Sequence, residues 1–220
     1  LGNDSVGGSN NEVVEDTSIT KKTPVYKVSE LVLTSLKVDA KIDIVDEDAL
    51  INGATTVKIL ENATAKAVYE TSGEMGDTSI YVSYADLKPD TEYLLTANAS
   101  YKIDDIEYNK TFISKIFRTD ALGVSFNKSY ATETSLVLEV VKENYSKVNS
   151  LALEIYDESG SQVNYVTVTF SNNLRQEIIF NNLEPDTNYL VSMSEILCQG
   201  VVVDDGFSQK ENIKTLKTKP

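Results

Sequence analysis

Thirty-four carboxylates, one thiol and no imidazole bound what this chain can do chemically. Without histidine, neither a Ser–His–Asp nor a Cys–His nucleophile can be assembled from these residues. Tetrahedral zinc needs several Cys or His ligands, and Cys198 is the only cysteine. No Walker loop and no Gly-rich dinucleotide fingerprint occurs. Paired acids for glycoside hydrolysis are allowed by composition alone. Calcium favours hard oxygen ligands, and Asp46-Glu47-Asp48 and Asp204-Asp205 cluster such groups. Their spacing does not fit an EF-hand loop, and solvated acidic turns are far commoner. The expectation is no catalytic, no cofactor-binding and no metal residue. Cys198 should be a small buried hydrophobe, with no internal disulfide to form. Asn-x-Ser/Thr acceptor sites stand at Asn3, Asn62, Asn98, Asn109, Asn127 and Asn144. In so Asn-, Ser- and Thr-rich a chain, chance explains them.

The element that organises the sequence is Leu87-Lys88-Pro89-Asp90-Thr91-Glu92-Tyr93, repeated 96 residues later as Leu183-Glu184-Pro185-Asp186-Thr187-Asn188-Tyr189. Proline fixes its own φ and extends the residue before it, so the chain turns sharply after each leucine. Asp and Thr side chains can bond nearby backbone and hold the corner. Beyond it, Tyr93, Leu95, Ala97, Ala99, Tyr101 and Ile103 alternate with polar residues. That is a strand with one buried face. A tyrosine opening such a strand can cover the core with its ring while its hydroxyl reaches back to the corner.

The same alternation runs along the rest. Residues 1–24, with Gly7-Gly8-Ser9-Asn10-Asn11, read as a linker or tail, though Val13-Val14 could add a strand to a neighbour. A first domain spans 25–120. Leu36, Val38, Ala40, Ile42 and Ile44 form one strand, and Val57 with Ile59 marks another. Lys66–Tyr69 and Ile80–Tyr84 follow, and a turn is expected at Asp104-Asp105. A second domain, 121–220, repeats the order. At an offset of 96, Ala40, Ile42 and Ile44 land on Leu136, Leu138 and Val140, and Val57 and Ile59 land on Leu153 and Ile155. Five strands are expected to match without a gap. Glu195 breaks the second copy, where the first has Ala99. Two turns compete beyond it, Gln199-Gly200 and Asp204-Asp205-Gly206. The first, with a bulge near Asp204, is the expectation. The fold class is all-β, two tandem immunoglobulin-like β-sandwiches, joined stiffly through Thr119-Asp120-Ala121-Leu122. A sandwich of this size leaves little room for the deep cleft of an enzyme.

The Leu-x-Pro-x-Thr-x-Tyr pattern resembles the E–F corner of fibronectin type III domains, and both copies match it fully. Those domains commonly carry a Trp on the second strand; this chain has none. Residues 25–120 are also similar to fibronectin-like domains of tail and baseplate proteins of phages infecting Gram-positive bacteria. The likeness rests on Ile42–Asp48, Ile51-Asn52-Gly53, Val57–Leu60, Thr91–Tyr93, Ala99–Asp105 and Phe117-Arg118-Thr119. It implies spacer and docking modules in a virion, with protein subunits as partners in oligomeric assemblies. The alternative is a spacer or adhesion module of a bacterial cell-surface or secreted carbohydrate-active protein. Carbohydrate binding through exposed Tyr rings is the third reading.

Net charge −14 repels nucleic-acid backbones and anionic membranes, so neither is expected as a partner. No apolar run approaches the roughly 20 residues of a membrane helix. The missing initiator Met and signal-peptide core lead to the expectation of an excised or processed piece.

Overall fold

The computed structural model of the protein describes residues 20–203 and 209–219. Among them every regular element is a strand, so no helix is long and apolar enough to cross a membrane. The first seven strands are β1 (Val25–Leu33), β2 (Val38–Val45), β3 (Thr55–Glu61), β4 (Lys66–Gly73), β5 (Ser79–Tyr84), β6 (Glu92–Ile103) and β7 (Ile106–Arg118). They build a three-stranded sheet, β1-β2-β5, and a four-stranded sheet, β4-β3-β6-β7, all antiparallel. Inward positions of both sheets form one core, with Val38, Ala40, Ile42 and Ile44 from β2 facing Val57, Ile59, Leu95 and Ala97. No Trp is needed on β2, because aromatic bulk comes from elsewhere. Tyr26 of β1 stacks on Phe112 of β7 at 4.3 Å between ring centroids.

The second set is β8 (Val124–Ala131), β9 (Leu136–Lys142), β10 (Val148–Tyr156), β11 (Gln162–Thr169), β12 (Arg175–Phe180), β13 (Asn188–Cys198), β14 (Val201–Val202) and β15 (Lys210–Lys214). Strands β12-β9-β8 form one sheet. Strands β11-β10-β13 form the other, with β14 and β15 both pairing β13. Each set is an immunoglobulin-like sandwich with its own apolar core.

The gapless repeat needs correction. Val38 pairs with Tyr84, whereas Leu136 pairs with Phe180, the counterpart of Tyr84. Leu136 therefore corresponds to Val38, not Ala40, two residues from the expected match. The bulges at Ser29 in β1 and at Asn127 in β8 carry the same displacement. Over β3 and β10 and the first part of β6 and β13 the offset of 96 holds, with Val57 facing Ala97 and Leu153 facing Met193, whereas on β4 and β11 it is 95, since Val57 pairs Thr71 and Leu153 pairs Val166. The slack lies in the connection after β2, which contains the acidic loop and is longer than its equivalent after β9.

The expected turn at Asp104-Asp105 is present, both residues having positive φ (49° and 66°), as a two-residue type I′ hairpin requires. Glu195 is the bulge residue of β13. It has φ 44°, and Glu195 and Ile196 together oppose the single Leu151. The bulge shifts the alternation by one, so Tyr189, Val191 and Met193 are buried before it and Ile196 and Cys198 after it. Gln199-Gly200 is the turn that closes β13 onto β14 (φ 52° and 81°). The competing Asp204-Asp205-Gly206, the bulge near Asp204, the Val13-Val14 strand and most of the expected tail lie outside the described residues. Lys21 and Lys22 lie against loops of the first sandwich, near Asp104 and Glu47.

Strand β4 runs beside β5 across the open side of the first sandwich. A Cβ at Gly73 would sit 2.5 Å from the Cγ1 and Cδ1 atoms of Ile80. Ile80 is buried and cannot swing away. Gly73→Ala is expected to destabilise by about 1–3 kcal/mol through overpacking. Ile80→Val in the same background, which removes the nearer methyl, should recover part of it, as read by chemical denaturation.

Candidate functional site

The two corners are the places where sequence and geometry agree most closely. Each lies where the chain leaves the three-stranded sheet and enters the larger one. The Tyr93 hydroxyl accepts the Lys88 N–H at 2.9 Å, and the Tyr189 hydroxyl accepts the Glu184 N–H at 2.9 Å. Both rings are buried. Thr91 Oγ1 donates to the Pro89 carbonyl, and Thr187 Oγ1 to the Pro185 carbonyl.

A second pair of residues completes each corner, and neither was singled out from sequence for this role. Thr119 Oγ1 donates to the Lys88 carbonyl at 2.6 Å and accepts the Thr91 N–H at 3.0 Å. Thr215 does the same for Glu184 and Thr187, at 2.6 and 2.9 Å. Their repetition at the same spacing as the tyrosines was the available signal. A threonine ending a strand is common enough to hide it. The aspartates also act differently from the expectation. Asp90 and Asp186 adopt positive φ (46° and 55°), and their carboxylates turn outward to Arg118 and Lys214, each at 2.8 Å.

Between the sandwiches the chain is not a free tether. Ser35 Oγ donates to the Ala121 carbonyl at 2.9 Å, and Thr34 Oγ1 to Gln199 Oε1 at 3.0 Å. Ser146 Oγ donates to the Leu122 carbonyl at 2.5 Å. Leu36, from the first half, joins the apolar cluster of the second with Leu122 and Val203. Open hollows flank this junction, one lined by Pro89, Leu122 and Tyr145, another by Leu36, Leu87 and Val202.

The remaining chemical candidates are occupied or dispersed. Asp46 accepts the backbone N–H groups of Leu50 and Ile51, both at 2.9 Å, and so shapes its own loop. Asp48 accepts the Lys22 N–H and Glu47 the Lys22 ammonium. Among the described residues, no three His, Cys, Asp or Glu side chains converge. Cys198 is fully buried, and burial pushes its thiol pKa up, which keeps it protonated and inert. Ser194 Oγ is buried in a hollow with Glu154, Glu158 and Lys210, but has no hydrogen-bond partner and hence no base to activate it. Of the acceptor asparagines, Asn62 donates to Glu92 and Asn127 to Glu139, while Asn98 accepts from Thr111 and Asn109 from Ser100. Asn3 lies outside the described residues. The most exposed tyrosines, Tyr81, Tyr108, Tyr130, Tyr145 and Tyr165, come from different strands and loops. Tyr108 stacks only on the buried Tyr101, so no two exposed rings form a sugar platform among the described residues.

The sheet order, β1-β2-β5 against β4-β3-β6-β7, is that of an immunoglobulin-like β-sandwich. No protein family matches the chain, and no curated protein matches it. Among solved structures it is similar to the FN1–FN3 domains of chicken CNTN1, with 11% identity and a TM-score of 0.32. That match covers 90% of this chain and 68% of the other. So loose a likeness carries no weight beyond the strand arrangement already described.

Tyr93→Phe and Tyr189→Phe each leave a corner N–H without its acceptor while keeping the ring. Each is expected to cost about 1–3 kcal/mol, measured by calorimetry. Acid should act through the carboxylates. Asp90 is held below the usual carboxyl range by its bond from Arg118, Asp186 by Lys214, Asp39 by Lys37 and Asp157 by Ser159. A carboxyl with a depressed folded-state pKa stabilises the fold above its unfolded value, and that contribution disappears as pH falls through the folded value. Tm is therefore expected to drop between about pH 4 and pH 2, and a flat profile across that window would contradict this.

Proposed function

We propose that the chain is a non-enzymatic spacer and docking module, built of fibronectin type III-like units at 25–120 and 121–220 with 1–24 as linker or tail. The observation that carries this reading is the fixed junction. Leu36 sits in the second apolar cluster, and Ser35 and Thr34 bond across to Ala121 and Gln199. A pair held this way can transmit position, which is what a spacer does and a flexible tether does not.

The setting we assign is a phage tail or baseplate, with neighbouring virion proteins as partners. What supports it is the likeness of residues 25–120 to fibronectin-like domains of such proteins. The competing setting is a bacterial surface or secreted protein. Mass spectrometry of purified source particles and of cell-wall fractions separates them. Peptides from this chain are expected in the tail fraction. Their confinement to the cell wall would transfer the module to the second setting. Small-angle scattering of the isolated chain is expected to give an extended particle, and a compact globule would remove the spacer reading itself.

A further inference from the structure

Asparagine is a thermolabile residue, and it is least durable in front of glycine. Glycine has no side chain to shield its backbone nitrogen from the carboxamide that precedes it. The chain contains that pair once, at Asn52-Gly53, and every other asparagine precedes a residue with a side chain. Whether such a pair reacts in a folded protein depends on its exposure and on what its two groups are bonded to.

Asn52 and Gly53 lie in the connection between β2 and β3, outside any strand. Asn52 is exposed and Gly53 half-buried. Among the described residues neither the Asn52 carboxamide nor the Gly53 N–H has a hydrogen-bond partner. The chain on either side is pinned. Upstream, Asp46 accepts the N–H groups of Leu50 and Ile51, Ile51 bridges to Tyr101, and the Asn52 N–H donates to the Ser100 carbonyl at 3.2 Å. Downstream, the buried Thr55 is bonded through its hydroxyl to that of Tyr26 at 2.7 Å. Only Gly53 and Ala54 lie between the pins.

The backbone does not require glycine at position 53. Its φ is not in the left-handed region, and a Cβ there would meet nothing within 4 Å. Its bareness therefore has a chemical consequence and no conformational one. The next least hindered pairs are Asn62-Ala63 and Asn98-Ala99. Their carboxamides are engaged, Asn62 with Glu92 and Asn98 with Thr111.

We infer that Asn52 is a self-modification site, at which the folded chain converts asparagine to aspartate and isoaspartate without an enzyme. The Gly53 nitrogen gives up its proton to solvent base and attacks Asn52 Cγ. A C–N bond forms, the Cγ–Nδ2 bond breaks, and Nδ2 takes a proton from water and leaves as ammonia. The product is a cyclic succinimide, which one water then opens. Attack at Cγ restores the ordinary backbone with a side-chain carboxylate. Attack at the backbone carbonyl carbon leaves the chain running through Cγ, which is isoaspartate. The sum is asparagine and water giving acid and ammonia, so no oxidant or cofactor enters. Each event adds one negative charge to a loop that already holds Asp46, Glu47 and Asp48. This inference is independent of the role and setting proposed above.

Peptide mapping of the full chain tests it. Tryptic cleavage after Lys41 and Lys58 releases residues 42–58, in which Asn52 is the only asparagine and no glutamine occurs. When the native chain is held in mildly alkaline buffer, this peptide is expected to gain the mass of acid in place of amide, relative to the starting sample. The conversion should be faster as pH rises, and the other asparagine peptides should stay unchanged. The aged chain should also accept methyl groups from S-adenosylmethionine through an isoaspartyl methyltransferase. Gly53→Ala, for which there is room, is expected to keep its circular dichroism and lose the conversion. If that variant misfolds, the comparison among asparagines within the native chain still decides. An amide that persists at position 52 in the native chain would overturn the inference. So would another asparagine converting as fast, a folded Gly53→Ala converting at the unsubstituted rate, or acid at position 52 without isoaspartate.

Discussion

The crossing from one sheet to the other is the constraint on which each sandwich depends. At that point the backbone has left one ladder and not yet joined the next. Its N–H and C=O groups are shielded from water without a strand to bond, and buried polar groups left unpaired are costly. Tyr93 and Tyr189 supply an acceptor for one amide of each crossing. Thr119 and Thr215, from the end of the last strand, supply both a donor and an acceptor for its other groups. The last strand of each larger sheet thus also secures the corner. The first and last parts of the sandwich are fixed by one small network.

Much of this was legible in the residues. Proline, threonine and tyrosine at fixed spacing announce the corner, and strict alternation announces β2 and β6. The two-residue displacement between β2 and β9 was not legible, for a reason intrinsic to sheets. A strand's side chains repeat every two residues, so a slip of two restores every inward and outward position. Only the pairings of Val38 with Tyr84 and Leu136 with Phe180 reveal it. The Glu195 bulge was visible as a fault in the pattern, because a one-residue insertion does reverse the faces.

The two copies have diverged most where they face solvent. Strand β7 pairs β6 along its whole length, while β13 pairs separately with the short β14 and with β15. The first copy's β3–β4 face is laced with charges such as the Lys58–Glu70 pair, and the second's β11 is not. The corners, by contrast, match bond for bond. Interior hydrogen bonding has been kept while exterior chemistry has changed, as expected when one scaffold carries two different surfaces.

Leu36 has a bearing on how the polypeptide reaches this state. It belongs by sequence to the hairpin between β1 and β2, yet it fills space among Leu122, Val203 and their neighbours. The carboxy-terminal half therefore cannot finish its interior until the amino-terminal half is in place. Ribosomal synthesis delivers the halves in that order, and the earlier one can mature first. A nascent chain would thus present a completed template to the segment still emerging. That ordering separates the maturation of the two repeats in time, and so limits the strand exchange to which tandem duplicates are prone.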